Sequence, residues 1–397
     1  MATLGERLRE MRLQAGLTQQ QLAGREMTRA FICMVEKGKA KPSLASLQLM
    51  ASRLNQPVSV LLATEATTAD QDLVTVLLDN AAHLLQAAKK PKAEATLRQA
   101  LRLAEERNLA EGQFSSLELL GKLMREQGRY DEALGSFERY LDLAKLLVNG
   151  RRVTLGYLQM AETMYRMMQF LVARRYYDRA VRETDERKSL MDLRQTALIS
   201  KGNCLMRIGD WAPAAATYEE AASLHPFLGE RRHLAYAQMG LGVAYRHLGR
   251  PEEAHRVTLA SLELLQQLGD QSRVLVLQNL ATLEGDQGLW HLALPKLETC
   301  RTAYQIFDWP ASEASLLEEL ALFDAAAGRY ELVEAHCQEA LALLDRQDDP
   351  ILRGRLFKLL GESRLKRGDE ARGRELLQAS ASILRYFGDR ELSEAVR

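Results

Sequence analysis

The residues of this chain that could do chemistry are mostly cations, and they are unevenly placed. Within residues 1–63, nine bases (Arg7, Arg9, Arg12, Arg25, Arg29, Lys37, Lys39, Lys41, Arg53) face four acids (Glu6, Glu10, Glu26, Glu36). The whole chain holds 53 bases and 53 acids, so this head carries +5 and the remainder −5. A basic module on a mildly acidic body suits a polyanionic partner, because neutralising phosphates gives affinity that is independent of base sequence. Other reactive types form no constellation. Cys33, Cys204, Cys300 and Cys337 lack CxxC spacing and read as reduced thiols of a cytoplasmic protein. The seven histidines show no HExxH or paired-ligand spacing, and no nucleophile elbow, phosphate loop or zinc cluster occurs. Gly240-Leu241-Gly242 is a fragment of a dinucleotide loop without a strand before it. No catalytic residue, metal or cofactor is expected, and the chain does not read as an enzyme.

The elements that must carry the cations are helical. Hydrophobic content of 47%, 27% charge and nine prolines in 397 residues indicate an all-α globular chain, too long for one ordinary core. The charged start Met1-Ala2-Thr3-Leu4-Gly5-Glu6-Arg7 is not a signal peptide, and no apolar run approaches ~18 residues, so no membrane span is expected. Leu4, Leu8 and Met11 have helical spacing, closed by Gly16. Thr18 and Gln21 have the spacing of a capping box opening a short helix with Leu22 and Ala23 inward. Thr28 can cap a third helix whose Ile32 and Val35 face the core and which Gly38 ends. Pro42-Ser43 opens a fourth, with Leu44, Leu47, Met50, Ala51 and Leu54 inward. Five short helices with such a turn predict a helix-turn-helix domain over 1–63.

The ordered set Leu17-Thr18-Gln19, Leu22-Ala23, Thr28-Arg29-Ala30-Phe31-Ile32, Val35-Glu36-Lys37-Gly38 and Pro42-Ser43 resembles the phage-repressor-like (XRE) helix-turn-helix family. The resemblance implies that the third helix enters the major groove of double-stranded DNA. With Ile32 and Val35 in the core, its exposed positions are Thr28, Arg29, Ala30 and Cys33. Arg29 is the expected base reader, since a guanidinium bonds a guanine edge bidentately. Thr18, Gln19, Lys37 and Lys39 are expected at phosphates, which position the domain without specifying sequence. The plainer alternative for each is a solvated polar side chain.

Residues 64–70 lack large apolar groups and read as a linker. From there to the C-terminus, residues 71–397 repeat with a period of about 40. One small position recurs as Ala81, Gly121, Ala161, Gly202, Gly242, Ala281, Ala321 and Gly361. Later positions recur in phase, as in Ala93, Ala133, Ala173, Ala214, Ala254, Ala293, Val333 and Gly373, followed by Leu97, Phe137, Tyr177, Tyr218, Thr258, Leu297, Cys337 and Leu377. Small residues let two helices approach, a larger one fills the gap, and a glycine such as Gly128 or Gly209 supplies the turn. The third pair has Met168 in place of that glycine, and the last two have Val333 and Gly373 at the alanine site, so less regular packing is expected there.

The pattern resembles the tetratricopeptide (TPR) repeat, most legibly in Gly128-Arg129-Tyr130-Asp131-Glu132-Ala133. It implies a right-handed superhelix of about eight pairs, whose first helices line a concave groove. Groove positions include Lys122, Arg125, Gln159, Tyr165, Arg166, Asn203, Met206, Arg207, Tyr236, Arg246, Gln278 and Asn279. Asn203 matches the position that clamps an extended peptide in TPR domains, and Arg166, Arg207 and Arg246 line up as a seat for a carboxylate. Together the two parts resemble the peptide-responsive Rgg/PlcR/Rap (RRNPP) regulators. That resemblance implies a homodimeric, DNA-binding transcriptional regulator whose groove takes a short signalling peptide. The alternative is a DNA-tethered TPR adaptor that docks a protein and senses no small ligand.

Overall fold

The computed structural model describes residues 4–40, 42–56, 68–185, 188–224, 231–345 and 349–387. Twenty α-helices lie among them. The head holds α1 (Leu4–Gln14), α2 (Gln19–Ala23), α3 (Arg29–Glu36) and α4 (Leu44–Arg53). There follow α5 (Thr68–Gln86), α6 (Lys90–Glu106), α7 (Ala110–Glu126), α8 (Tyr130–Leu146), α9 (Gly150–Arg166) and α10 (Phe170–Glu183). The rest are α11 (Met191–Arg207), α12 (Trp211–Ser223), α13 (Arg231–His247), α14 (Pro251–Gln267) and α15 (Arg273–Asp286), then α16 (Trp290–Phe307), α17 (Pro310–Ala326), α18 (Tyr330–Leu344), α19 (Pro350–Lys366) and α20 (Glu370–Phe387). The expected fifth helix of the head would fall on 57–63, outside the described residues. Of the expected linker, Thr68, Ala69 and Asp70 belong to α5, and 64–67 lie outside the described residues. The chain forms two compact units, residues 1–163 and 164–397.

In the first unit, Leu8, Leu22, Ala23, Ile32, Val35, Met50 and Ala51 make the core of the head, and Leu146 at the end of α8 packs against it. Full burial of each large aliphatic side chain contributes roughly 1.5–3 kcal/mol. Gly5 lets α1 cross the end of α3, since a Cβ there would lie 2.3 Å from the Val35 carbonyl oxygen. Thr18, Thr28 and Ser43 cap α2, α3 and α4 as their spacing predicts, and Thr18 and Gln21 form the full capping box.

Within each unit the repeats fold as antiparallel helix pairs. Every one of the eight small positions from Ala81 to Gly361 is buried, as is every alanine-site residue from Ala93 to Gly373. The reason is contact distance: a Cβ on Gly121 would sit 2.5 Å from the Phe137 ring, and one on Gly202 would sit 2.6 Å from Tyr218. The three departing positions keep the turn or the burial of the pattern. Met168 takes the left-handed φ of +58° that the turn requires, matching +74° at Gly128 and Gly209. Val333 is fully buried, and Gly373 leaves room for Leu365.

Candidate functional site

The helix-turn-helix of the head is organised from beneath by a buried ion pair. Arg12 Nε donates to Glu36 Oε1 at 2.6 Å and Nη2 to Oε2 at 3.2 Å, while Nη1 donates to the Leu17 carbonyl at 2.9 Å. The pair ties α1 to the C-terminal end of α3 and to the start of the turn motif. Burial works to raise the Glu36 pKa, but hydrogen bonds from Arg12 and Gln19 outweigh it and hold the carboxyl below its ordinary value. A second cation, Arg53, donates from Nη1 to the carbonyls of Leu22 (2.9 Å) and Ala23 (2.5 Å) and bonds Glu26. It satisfies the last carbonyls of α2 and fixes the α2–α3 turn, where Gly24 has φ +59°. A Cβ at Gly24 would strike the Arg53 guanidinium at 2.3 Å.

This scaffold leaves the outer face of α3 open. Arg29 and Ala30 are exposed in its first turn, and Cys33 is half-buried one turn further on. Thr28 is exposed at the N-cap, its hydroxyl accepting from the Phe31 N–H at 3.1 Å. Lys37 and Lys39 are exposed just beyond α3. Among the described residues, the side chains of Arg29, Lys37 and Lys39 have no hydrogen bond or ion pair, while the Lys37 and Lys39 N–H groups donate to the Cys33 and Met34 carbonyls. Gln19, expected at phosphates, is half-buried, and its Nε2 donates to Glu36 Oε2 at 2.7 Å, which joins it to the buried network. Thr18 is exposed with its hydroxyl engaged in the capping box.

The second unit contains a cavity of about 540 Å³, within the range of roughly 300–1,000 Å³ usual for ligand sites. Its walls come chiefly from α11, α13, α15, α17 and α19, each the first helix of a pair, with Gly209 and Trp211 at the turn into α12. Arg207, Arg246, Gln278 and Asn279 line it, together with Met206, as the repeat phase predicts. Glu318, Glu319, Arg355, Lys358 and the Trp211–His247 stack (ring centroids 3.7 Å apart) also line it. One end of the unit closes on the other. Arg207 on α11 makes a bidentate pair with Asp349, the N-cap of α19, at 3.1–3.2 Å and 142 residues away in sequence. Phe170, Ile351 and Leu384 form a small apolar core beside it.

These contacts correct the expected carboxylate seat. Arg246 is held by Asp286 at 2.5 Å and by Glu319 at 3.4 Å, and Arg207 by Asp349, so both guanidinium groups already have carboxylates of the same chain. Arg166 is exposed and does not line the cavity. Burial works to raise the Asp349 pKa, yet the Arg207 charge and hydrogen bond hold it low. Glu319 is pushed up by burial, which Arg246 only partly offsets. Asn203 and Tyr236 stand outside the cavity lining. The Asn203 amide oxygen accepts from the Tyr218 hydroxyl at 2.6 Å, and the Tyr236 hydroxyl donates to Asp270 at 3.2 Å. Gln278 is buried, accepting from the Tyr304 hydroxyl at 2.7 Å. In the first unit Lys122 pairs with Glu118 at 2.6 Å, and Arg125 bonds the Gln159 amide oxygen at 3.0 Å and lies over the Phe137 ring.

Lys358, Arg355, Glu318 and Glu319 escaped the reading of the sequence. The signal was available: Glu318 and Lys358 stand three residues before Ala321 and Gly361, as Gln278 stands before Ala281. Cys204, Cys300 and Cys337 are fully buried, and burial pushes the Cys300 and Cys337 thiols up to about 12, in keeping with packing roles. No group of residues that could hold a metal occurs among the described residues.

A DNA-binding helix-turn-helix head on paired-helix repeats is the class this fold defines. The sequence matches the helix-turn-helix family over residues 8–61 and tetratricopeptide repeat families over 72–145 and 158–229. The chain is thus an XRE-type helix-turn-helix joined to TPR repeats, similar in fold to Rap proteins. A Rap protein complexed with competence and sporulation factor is 13% identical, with a TM-score of 0.58 over 81% of this chain and 99% of that one. Aspartyl phosphate phosphatase F from Bacillus subtilis is 11% identical, with a TM-score of 0.58 over 98% and 95%. The Rap conjugation gene regulator of plasmid pLS20, in complex with the Phr* peptide, is 15% identical, with a TM-score of 0.53 over 99% and 98%. Identities this low speak for the shared fold alone. No curated protein sequence matches the chain. No helix among the described residues is long and apolar enough to cross a membrane.

Proposed function

We propose that this protein is a sequence-specific, non-enzymatic transcriptional regulator of the cytoplasm, a homodimer whose repeat cavity takes a short peptide that modulates DNA binding. The observation that carries the reading is the coexistence on one chain of an exposed Arg29 on α3, its side chain unpaired, and a cavity of ligand size in the repeats. Arg29 reads a base edge, with Thr28, Ala30 and Cys33 along the same face and Lys37, Lys39 and Thr18 at the flanking phosphates. Two heads related by a two-fold axis would read half-sites one or more helical turns apart. The complex of the pLS20 regulator with the Phr* peptide supports a peptide as occupant. A peptide alters DNA affinity only by binding one arrangement of the two heads better than another.

The test is selection of binding sites from random duplex DNA by the full chain, repeated with Arg29→Ala. The wild type should return a two-fold-related sequence, and Arg29→Ala should lose preference at one base pair of each half-site. Identical preference in both would remove Arg29 from the reading role, and no enrichment by the wild type would contradict sequence-specific binding.

A further inference from the structure

The cavity's charges are nearly all matched within the chain, and the exception indicates its ligand. Arg207, Arg246 and Arg355 each reach a carboxylate at 2.5–3.2 Å, the last through Glu318 at 2.7 and 2.8 Å. Lys358 on α19 differs. Its side chain is 18% exposed, so its stem is largely covered, yet its nearest carboxylate is Glu362 at 3.9 Å, beyond hydrogen-bond distance. Glu362 lies one turn along the same helix and is half-exposed, a position where water screens the pair. An ammonium on the cavity wall without a hydrogen-bonded anion gains from one brought by a ligand, because a charge-assisted hydrogen bond is about twice as strong as a neutral one.

The wall beside Lys358 offers neutral groups as well. Asn279 on α15 and Ser315 on α17 line the cavity, and among the described residues their side chains have no hydrogen-bond partner. Helices α15, α17 and α19 pack side by side, so the amide, the hydroxyl and the ammonium belong to one wall. An amide that both donates and accepts can bond the N–H and C=O of an extended backbone. Val243 and Leu322 add apolar surface. Glu319, with its pKa raised by burial, opposes an incoming anion less than an ordinary glutamate would.

We propose that the peptide taken by this cavity presents a carboxylate to Lys358, with its adjoining backbone bonded by Asn279 and Ser315. The inference rests on the peptide reading of the cavity and specifies the chemistry of the occupant. The carboxylate is either an Asp or Glu side chain or the peptide's own C-terminus, since the ammonium reads the charge alone.

Affinity selection of synthetic random heptapeptide pools by the full-length protein tests this. The pools are made as free acids and as C-terminal amides, with retained peptides identified by mass spectrometry. Enrichment of Asp or Glu regardless of amidation assigns a side-chain carboxylate, and enrichment of free acids over amides assigns the terminus. Either supports the proposal, provided that Lys358→Met then weakens the best wild-type peptide by about tenfold or more, as expected for a lost hydrogen bond to a charged group. Lys358→Met keeps the aliphatic stem, and an unchanged melting temperature shows that the variant is folded. Lys358→Glu should turn the preference towards Lys- and Arg-containing peptides, and Asn279→Ala should weaken binding without altering charge preference. Retained peptides with no excess of carboxylates, or an unchanged Kd in Lys358→Met, would overturn the proposal while leaving the peptide reading intact. Retention of no peptide by the wild type would overturn both.

Discussion

The head and the repeat cavity both contain arginines that could meet a ligand, and they use them in opposite ways. In the head, Arg12 and Arg53 serve the fold from within and behind the turn, while Arg29 is exposed and unpaired. In the cavity, Arg207 and Arg246 face the space a ligand would fill, yet Asp349, Asp286 and Glu319 already hold them. A cation at a candidate site is therefore informative only once its partners within the chain are known. Position in the repeat cannot separate a binder from a brace.

The largest test of this contrast is on the head. Arg12→Ala strands the Glu36 carboxylate, and removing one partner of a buried pair costs about 3–5 kcal/mol. The head should lose its helical signal at lower temperature, as followed by circular dichroism of residues 1–63, while the repeats of the full chain keep theirs. The same pair sets an acid limit. The folded Glu36 pKa lies below its ordinary 4.5, so its contribution is complete above that pH and disappears as pH falls through the lowered value. Glu36→Gln should flatten that part of the stability–pH curve. Next comes Arg29→Ala, which should leave the fold intact and cost about 1–3 kcal/mol of discrimination at one base pair, read by competition between operator variants.

The cavity should respond more mildly. Asp349→Ala removes both the N-cap of α19 and the partner of Arg207, and loss of such a cap costs about 0.5–2 kcal/mol. Faster amide hydrogen exchange at the start of α19 and around Phe170 would show that this contact closes the unit on itself. Unchanged exchange would reduce the pair to a surface feature. The smallest effect concerns turns away from either site. Ala88 is exposed at φ +55°, so Ala88→Gly should raise stability by about 0.5–1 kcal/mol in thermal denaturation, the relief of left-handed strain exceeding glycine's entropic cost.

The same contrast explains what was legible in the sequence. Capping boxes, core spacing and the repeat phase are local, and Thr18, Thr28, Ile32 and the small positions from Ala81 to Gly361 fell where periodicity put them. The bond from Gln19 to Glu36 was not legible, because the choice between neighbouring partners is one that spacing leaves open. The role of Arg207 is not legible from spacing, because its partner stands 142 residues away, a separation set by how the helix pairs stack. Met168 adopts the turn conformation without glycine, packing its side chain against the Phe170, Ile351 and Leu384 cluster. Lys358 was within reach of the phase argument but became distinctive only when its neighbours proved to be paired.

The central claim is that the cavity and the head are coupled. Its direct test is the affinity of the full-length protein for its selected operator, by fluorescence anisotropy, with and without a saturating heptapeptide retained by the cavity. The account predicts a change in Kd of about tenfold, a coupling of about 1.4 kcal/mol, with an equal change in peptide affinity when operator is present. An operator Kd that is the same with and without bound peptide would contradict it.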